Sequence, residues 1–565
     1  MDTNTPAAVA ASTGAGRRGR RRTAALLSVL CTSALLATAC GGGGAGGKES
    51  SNHAKPKLVS QLPAAAAKDV DHLTIGLPKG EPASIDPLQA IDYSTDLVIS
   101  NLCDPILRLT PDFDLKPNVA TSWNWTDKKT LVLTIRKGIK FWDGKDLTAQ
   151  DVAYSMERSL GPGAITGGPL QLAKSASASG PYEVTVKFKS YDEQFVKQLA
   201  APSYAVIEKA WAEKAGKNLG TAKGGLMCSG PFKFGSWTSG SAIELERNDA
   251  YWNPDYKAHA RRVTLKPLSD SSALTQALVS GEVDGAWEVP PAVISSLKSA
   301  KSGSLHYGPA FQYLELSVAD STSAPLADKN VRRALFKAID RKGIADVVFK
   351  GAATPNYTSL PPSSRDKGAE DLYAAAAREY EKANAYDIDA AKKLMASSKA
   401  KGRTLKLVTM AGDETQSQVA QLIQQQAKVI GLSVAIDARQ PLQYGDTFVN
   451  PSARKGVDLT LAVGFNQTTD PLELLGFLAV PGSAYNFGFD DPVATKAYNT
   501  ARGIEDPRER APYVLTLQER FQSSYHDTSL VAPYEISYFS DKLTGATTSM
   551  AYMFTPSLAL LGSPS

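Results

Sequence analysis

Between Leu405 and Ile436 the chain spells out a complete β-α-β unit. Leu405 to Met410 reads as a strand. Val419, Leu422, Ile423, Gln426 and Ile430 then recur at helical spacing, Gly431 is placed to end that helix, and Leu432 to Ile436 returns as a strand. Two parallel strands joined in this way need a helical crossover, so the unit predicts a parallel sheet with right-handed connections. Strand patterns recur elsewhere. Leu73 to Leu77 alternates, as do Leu131, Leu133 and Ile135 against Val132, Thr134 and Arg136. Thr148 stands three residues before Asp151, a capping-box spacing, ahead of Val152, Met156 and Leu160 on one helical face. Strands and helices alternate to the C-terminus without an evident internal repeat, so the predicted class is mixed α/β. A length of 565 residues argues for more than one domain. With 43% hydrophobic and 21% charged residues, the chain can bury a large core without a metal or dense disulfides.

The net charge of +5 belongs almost wholly to the first 39 residues, where Arg17, Arg18, Arg20, Arg21 and Arg22 face only Asp2. The remainder is close to neutral, which gives no electrostatic case for binding nucleic acid or an acidic membrane surface. An uncharged apolar run, Ala24 to Ala39, follows the arginines. It is too short to span a bilayer and has the layout of a secretory signal. Leu36-Ala37-Thr38-Ala39-Cys40 resembles a bacterial lipobox, with Ala37 where leucine is commoner; that resemblance implies cleavage before Cys40 and diacylation of it. A signal cut nearby that leaves a free cysteine is the alternative. Gly41 to Gly47 would supply a flexible tether behind the anchor. Arg21-Arg22 leaves Sec and twin-arginine export both open.

Residues 40–69 read as a disordered stalk. The glycines before Lys48 do not make a phosphate loop, because Glu49 stands where Ser or Thr is needed and no strand precedes them. Beyond Cys31 and Cys40 only Cys103 and Cys228 remain, and in an oxidising compartment a disulfide between them is expected. Two separate buried thiols are the alternative, since spacing does not prove proximity. The five histidines, His53, His72, His259, His306 and His526, are too far apart to suggest a metal site. No G-x-S-x-G elbow occurs. Nothing specific points to an enzyme, a resident metal or a cofactor.

Several runs, in order, resemble the family-5 extracellular solute-binding proteins, the peptide and nickel binders of ABC importers. They are Glu81 to Pro87, Trp123 to Val152 with Ile135-Arg136-Lys137-Gly138-Ile139-Lys140-Phe141-Trp142-Asp143-Gly144 at its centre, and Ser229-Gly230-Pro231-Phe232. Asn248 to Trp252, Leu278 to Asp284, Val331 to Leu335 with Ala338 to Arg341, and Tyr386 to Leu394 complete the series. Most of these runs read as architecture. Gly138, Gly144 and Gly230 suit turns, Val331, Leu335, Ala338 and Ile339 form a buried helix face, and Arg332, Arg333 and Arg341 are structural or solvated.

The resemblance implies a two-lobed periplasmic-binding-protein-like fold with an additional subdomain in the first lobe. Domain I would span 70–309 with the subdomain at about 115–227, domain II 310–530, and 531–565 would return to domain I. The chain would cross between lobes near Tyr307 to Val318 and near Val531 to Ile536. A small solute, an oligopeptide or modified peptide before an oligosaccharide or metal chelate, would be enclosed by hinge closure and passed to ABC permease subunits. The protein would act as a lipid-anchored monomer. Candidate ligand contacts are Trp287, Phe311 and Tyr313, with core packing as an equal alternative, and Phe465, Asn466, Gln467 and Asp470 before Pro471. In peptide-binding relatives an aspartate in this segment pairs with the peptide's ammonium group. Counting back from Pro471, Gln467 holds that place, and an amide lacks the charge that strengthens such a bond.

Overall fold

The computed structural model describes residues 55–62, 68–90, 92–161, 170–322 and 324–564. The predicted signal segment, Cys31, Cys40 and the glycine run lie outside them.

Two large sheets organise the described residues. The first runs Gly303–Gly308, Glu535–Ser540, Gly285–Ala286, Val70–Leu77, Ala260–Pro267, Ala242–Arg247, Phe232–Thr238. Its central strand, Val70–Leu77, is parallel to both neighbours. The alternation read at Leu73 to Leu77 is visible as buried Leu73, Ile75 and Leu77. The second sheet runs Ala353–Pro355, Asp527–Pro533, Gln312–Val318, Leu459–Phe465, Thr404–Met410, Ser433–Arg439. Its outer two strands are the β-α-β unit, parallel with Leu405 opposite Val434, and the helix between them is Glu414–Val429. Val419 and Ile423 of that helix are buried, and Gly431 takes a φ of +85°, which glycine adopts without a Cβ clash.

A four-stranded antiparallel sheet, Ala120–Asp127, Thr130–Ile135, Glu183–Phe188, Ala173–Gly180, adjoins the first lobe. Helix Ala149–Leu160 packs on it. Asp151 Oδ2 accepts from the Thr148 amide at 3.0 Å and from its hydroxyl at 2.7 Å, which fixes the helix start.

The chain passes between the large sheets twice. Gly303–Gly308 belongs to the first and Gln312–Val318 to the second; Asp527–Pro533 belongs to the second and Glu535–Ser540 to the first. Residues 309–311 and Tyr534 are therefore the connections.

Two readings need correction. The predicted stalk does not extend to residue 69. Val59 donates to Tyr307 O at 2.8 Å, Leu62 to Ala546 O at 2.9 Å, and Asp69 accepts from His259 at 3.2 Å, so these residues are docked on the first lobe. Gly230 does not serve a turn through positive φ. A Cβ there would lie 2.4 Å from Leu102 O, so glycine is needed for close backbone approach. That approach sits beside the bonded pair Cys103 and Cys228, whose Cα atoms are 4.9 Å apart.

Candidate functional site

Between the two lobes lies a cavity of about 590 Å³. Its walls are strongly aromatic. Tyr93 comes from the first turn of helix Tyr93–Leu102, and Tyr204 from the turn Pro202–Tyr204 on the first-lobe side. Tyr313 and Phe465 come from adjacent second-lobe strands, Phe477 from helix Leu472–Ala479, and Tyr485 from the loop after it. Tyr93 and Phe465 meet across the cleft with ring centroids 4.5 Å apart. Pairing opposite Gly464 gives Tyr313 room, since a Cβ on that glycine would be 2.8 Å from the tyrosine hydroxyl.

Of the seven sequence-predicted contacts, Tyr313, Phe465 and Gln467 line this cavity. Gln467 reaches across it, donating from Nε2 to Asp96 Oδ2 at 3.1 Å, while its Oε1 is buried without a partner. The other four do not line it. Trp287 is core: its Nε1 donates to Thr547 O at 2.7 Å and its ring stacks on Tyr552 at 5.1 Å. Phe311 is fully buried between Phe113 and Phe554. Asn466, just past the end of strand Leu459–Phe465, faces away and donates to Ser364 Oγ at 3.0 Å. Asp470 is consumed by cations, accepting from Arg510 at 2.6 Å and Lys197 at 2.8 Å. Burial alone would raise its carboxyl, but Arg510 and Lys197 outweigh burial and hold it well below the usual carboxylate range.

The structure adds residues that sequence reasoning missed. Glu473 lines the cavity from the first turn of Leu472–Ala479 and is 8% exposed. It accepts from the Gln467 amide at 2.6 Å, the Thr468 amide at 2.8 Å and the Thr468 hydroxyl at 2.5 Å, and so shapes the loop that presents Gln467. Burial pushes its carboxyl up to about 7, the three donors pulling back and Asp470 adding to the rise. One signal was available, because Glu473 is the lone acid in the apolar run Leu472 to Ala479. Asp192 and Arg502 also line the cavity and form an ion pair across the cleft, with Arg502 Nε 3.0 Å from Asp192 Oδ1. They are 310 residues apart, and no local pattern announces them.

Among the described residues no cluster of histidine, cysteine and carboxylate could hold a metal ion, and no histidine lines the cavity. A two-lobed α/β chain, joined by two short connections and meeting around an aromatic-walled cavity, has the architecture of a solute-binding protein. Residues 114–486 match the bacterial extracellular solute-binding proteins, family 5 Middle, and the chain belongs to that family. It is 26% identical over 487 residues to the oligopeptide-binding protein OppA of Bacillus subtilis, covering 82% of this chain and 87% of that one. In structure it resembles the periplasmic binding protein DppA from Helicobacter pylori in complex with a peptide, with a TM-score of 0.74 and 20% identity, over 88% of this chain and 99% of that one. NikZ from Campylobacter jejuni in complex with a nickel–histidine chelate is similar at a TM-score of 0.72 and 20% identity, over 87% and 99%.

Proposed function

We propose that this protein captures a small solute of peptide-like size between its lobes and delivers it to the permease of an ABC importer. The interlobe cavity of about 590 Å³ carries the reading, since its size suits a ligand of a few residues and both lobes contribute to it. A ligand that touches both lobes binds the closed arrangement better than an open one, and that difference drives hinge closure. Membership of an extracellular solute-binding family supports an extracytoplasmic site of action. Mass spectrometry of compounds released on denaturing the purified protein tests the reading. A stoichiometric small molecule is expected, and repeated purification from rich medium with nothing retained would overturn it.

The same proposal places the protein on the membrane through lipid on Cys40, with a monomeric binding domain beyond. Cys40→Ser should release the chain into the medium or leave it unprocessed. Normal processing and membrane retention of that variant would refute the anchor.

A further inference from the structure

The charges around the cavity are one-sided. Asp92, Asp192, Glu473 and Arg502 are its charged lining residues. Arg502 is the only cation among them and is taken by Asp192, both being at most 3% exposed. Asp92 and Glu473 have no ion-pair partner among the described residues, nor has Asp96 behind Gln467, whose Oδ1 is buried without any partner. Lys79, near the Tyr93 ring at 5.1 Å, is 3.9 Å from Glu288 and does not line the cavity.

Two helix N-termini at the cavity where an anion could dock are also filled. A helix N-terminus readily receives a carboxylate or phosphate. Here the amides of Ser94 and Thr95 donate to Asp92 at 3.0 and 2.9 Å, and the Leu472 amide donates to Asp470 at 2.9 Å. These two helix starts are capped from within the chain, and the six-residue helix Glu193–Gln198 begins at the carboxylate Asp192, which Arg502 holds. What remains on offer is uneven in charge: Glu473, whose Oε1 accepts a single bond, the orphan Oε1 of Gln467, the rings of Tyr93, Phe465, Tyr313 and Tyr485, and two neutral donors without partners, Gln171 Nε2 and the Tyr93 hydroxyl. Carboxylate beside aromatic faces is the combination that recognises organic cations.

We infer that the cavity selects a net-positive organic ligand, with Glu473 as counter-ion to its ammonium or guanidinium group, aromatic faces around its body, and no unpaired protein cation among the lining residues to meet a ligand anion. This rests on the solute-capture reading and specifies its substrate class. The cation can be a terminal amine or a basic side group, since the acceptors are the same for both.

The probe is a peptone supplemented with spermidine and agmatine. It is offered to ligand-stripped protein in three forms: untreated, acetylated at its amines, and methyl-esterified at its carboxyls. Retained compounds are identified by mass spectrometry. The wild type should retain cations from the untreated and esterified pools and at least tenfold less amine-derived material from the acetylated one. Guanidinium compounds surviving acetylation would assign the charge to a basic side group, and their loss to a terminal amine. Glu473→Gln should lose at least tenfold in retention while melting cooperatively, and Glu473→Asp should keep the preference for cations. Retention of anionic compounds, equal retention from all pools, or unchanged retention by a folded Glu473→Gln would overturn the inference and leave solute capture standing. If the folded wild type retains nothing from any pool, solute capture itself fails and the inference with it.

Discussion

At the scale of single residues, the loop before Pro471 decides most. Gln467 is the one sequence-predicted contact that both lines the cavity and bonds the opposite lobe, so its substitution should act on binding more than on folding. Gln467→Ala is expected to weaken capture of the co-purified ligand by about 1–3 kcal/mol in calorimetry. Gln467→Asp should tighten it if the ligand's cation approaches this side chain, and weaken it if the added carboxylate is buried against Asp96 and Glu473 alone. Affinity unchanged in both variants would remove Gln467 from the site. Glu473 supports a pH prediction. Its carboxyl is raised from 4.5 to about 7 in the fold, so ionising it opposes folding; the penalty is absent below pH 4.5 and complete above about pH 7. Glu473→Gln removes that penalty. Relative to the wild type without ligand, the variant should gain up to about 3 kcal/mol across this window, read from denaturant titrations at fixed pH. A difference that does not change with pH would contradict the burial of an unpaired carboxylate. The sequence pointed to this loop but not to how its side chains divide. Asn466 turns to Ser364 and Asp470 is captured by Lys197 and Arg510, and both outcomes depend on packing that no local pattern encodes.

At the scale of elements, the reading succeeded where one segment carries its own period. The β-α-β unit from Thr404 to Arg439 and the capped helix Ala149–Leu160 each announce their buried face and their ends. It failed where a residue's role is set by a distant partner. Trp287 and Phe311 look like ligand aromatics in isolation, but strand Glu535–Ser540 and the C-terminal residues Tyr552 and Phe554 cover them. The covalent link is a clear long-range case. Cys103 and Cys228 are 125 residues apart and join the end of helix Tyr93–Leu102 to the segment before strand Phe232–Thr238. Both are fully buried, with Gly230 allowing the backbones to touch. A loop of that length restricts the unfolded chain by about 4–5 kcal/mol in the chain-entropy account. The double variant Cys103→Ala, Cys228→Ala should lose most of that stability in chemical denaturation while retaining the fold. Thiol titration of the unfolded, unreduced mature protein should find neither sulfur free; two reactive thiols besides Cys40 would refute the link.

Closure is a property of the whole molecule, and three of its cross-lobe ion pairs come from the segment Asp192 to Gln198 of the first lobe. Asp192 precedes helix Glu193–Gln198, whose Lys197 inserts between Asp366 at 3.1 Å and Asp470 at 2.8 Å of the second lobe. Asp192 itself holds Arg502, the last residue of helix Pro492–Arg502. Burial outweighs the guanidinium and keeps the Asp192 carboxyl above its ordinary value, so the pair exists at a desolvation cost that lobe contact imposes. In an open arrangement both groups would be hydrated and the cost would vanish. Breaking the pair should therefore act on the open–closed balance before it acts on folding. Asp192→Asn leaves the Arg502 charge buried on closure, which costs about 3–5 kcal/mol, so ligand affinity should fall by two orders of magnitude or more. Small-angle scattering should show the variant remaining extended at ligand concentrations that compact the wild type. Asp192→Leu combined with Arg502→Met removes both charges and fills the same space, and this pair should recover most of the closure. If Asp192→Asn compacts and binds as the wild type does, the cross-lobe pair is incidental to closure. If the double variant also stays extended, the pair acts through specific hydrogen bonding rather than through the balance of charge and burial.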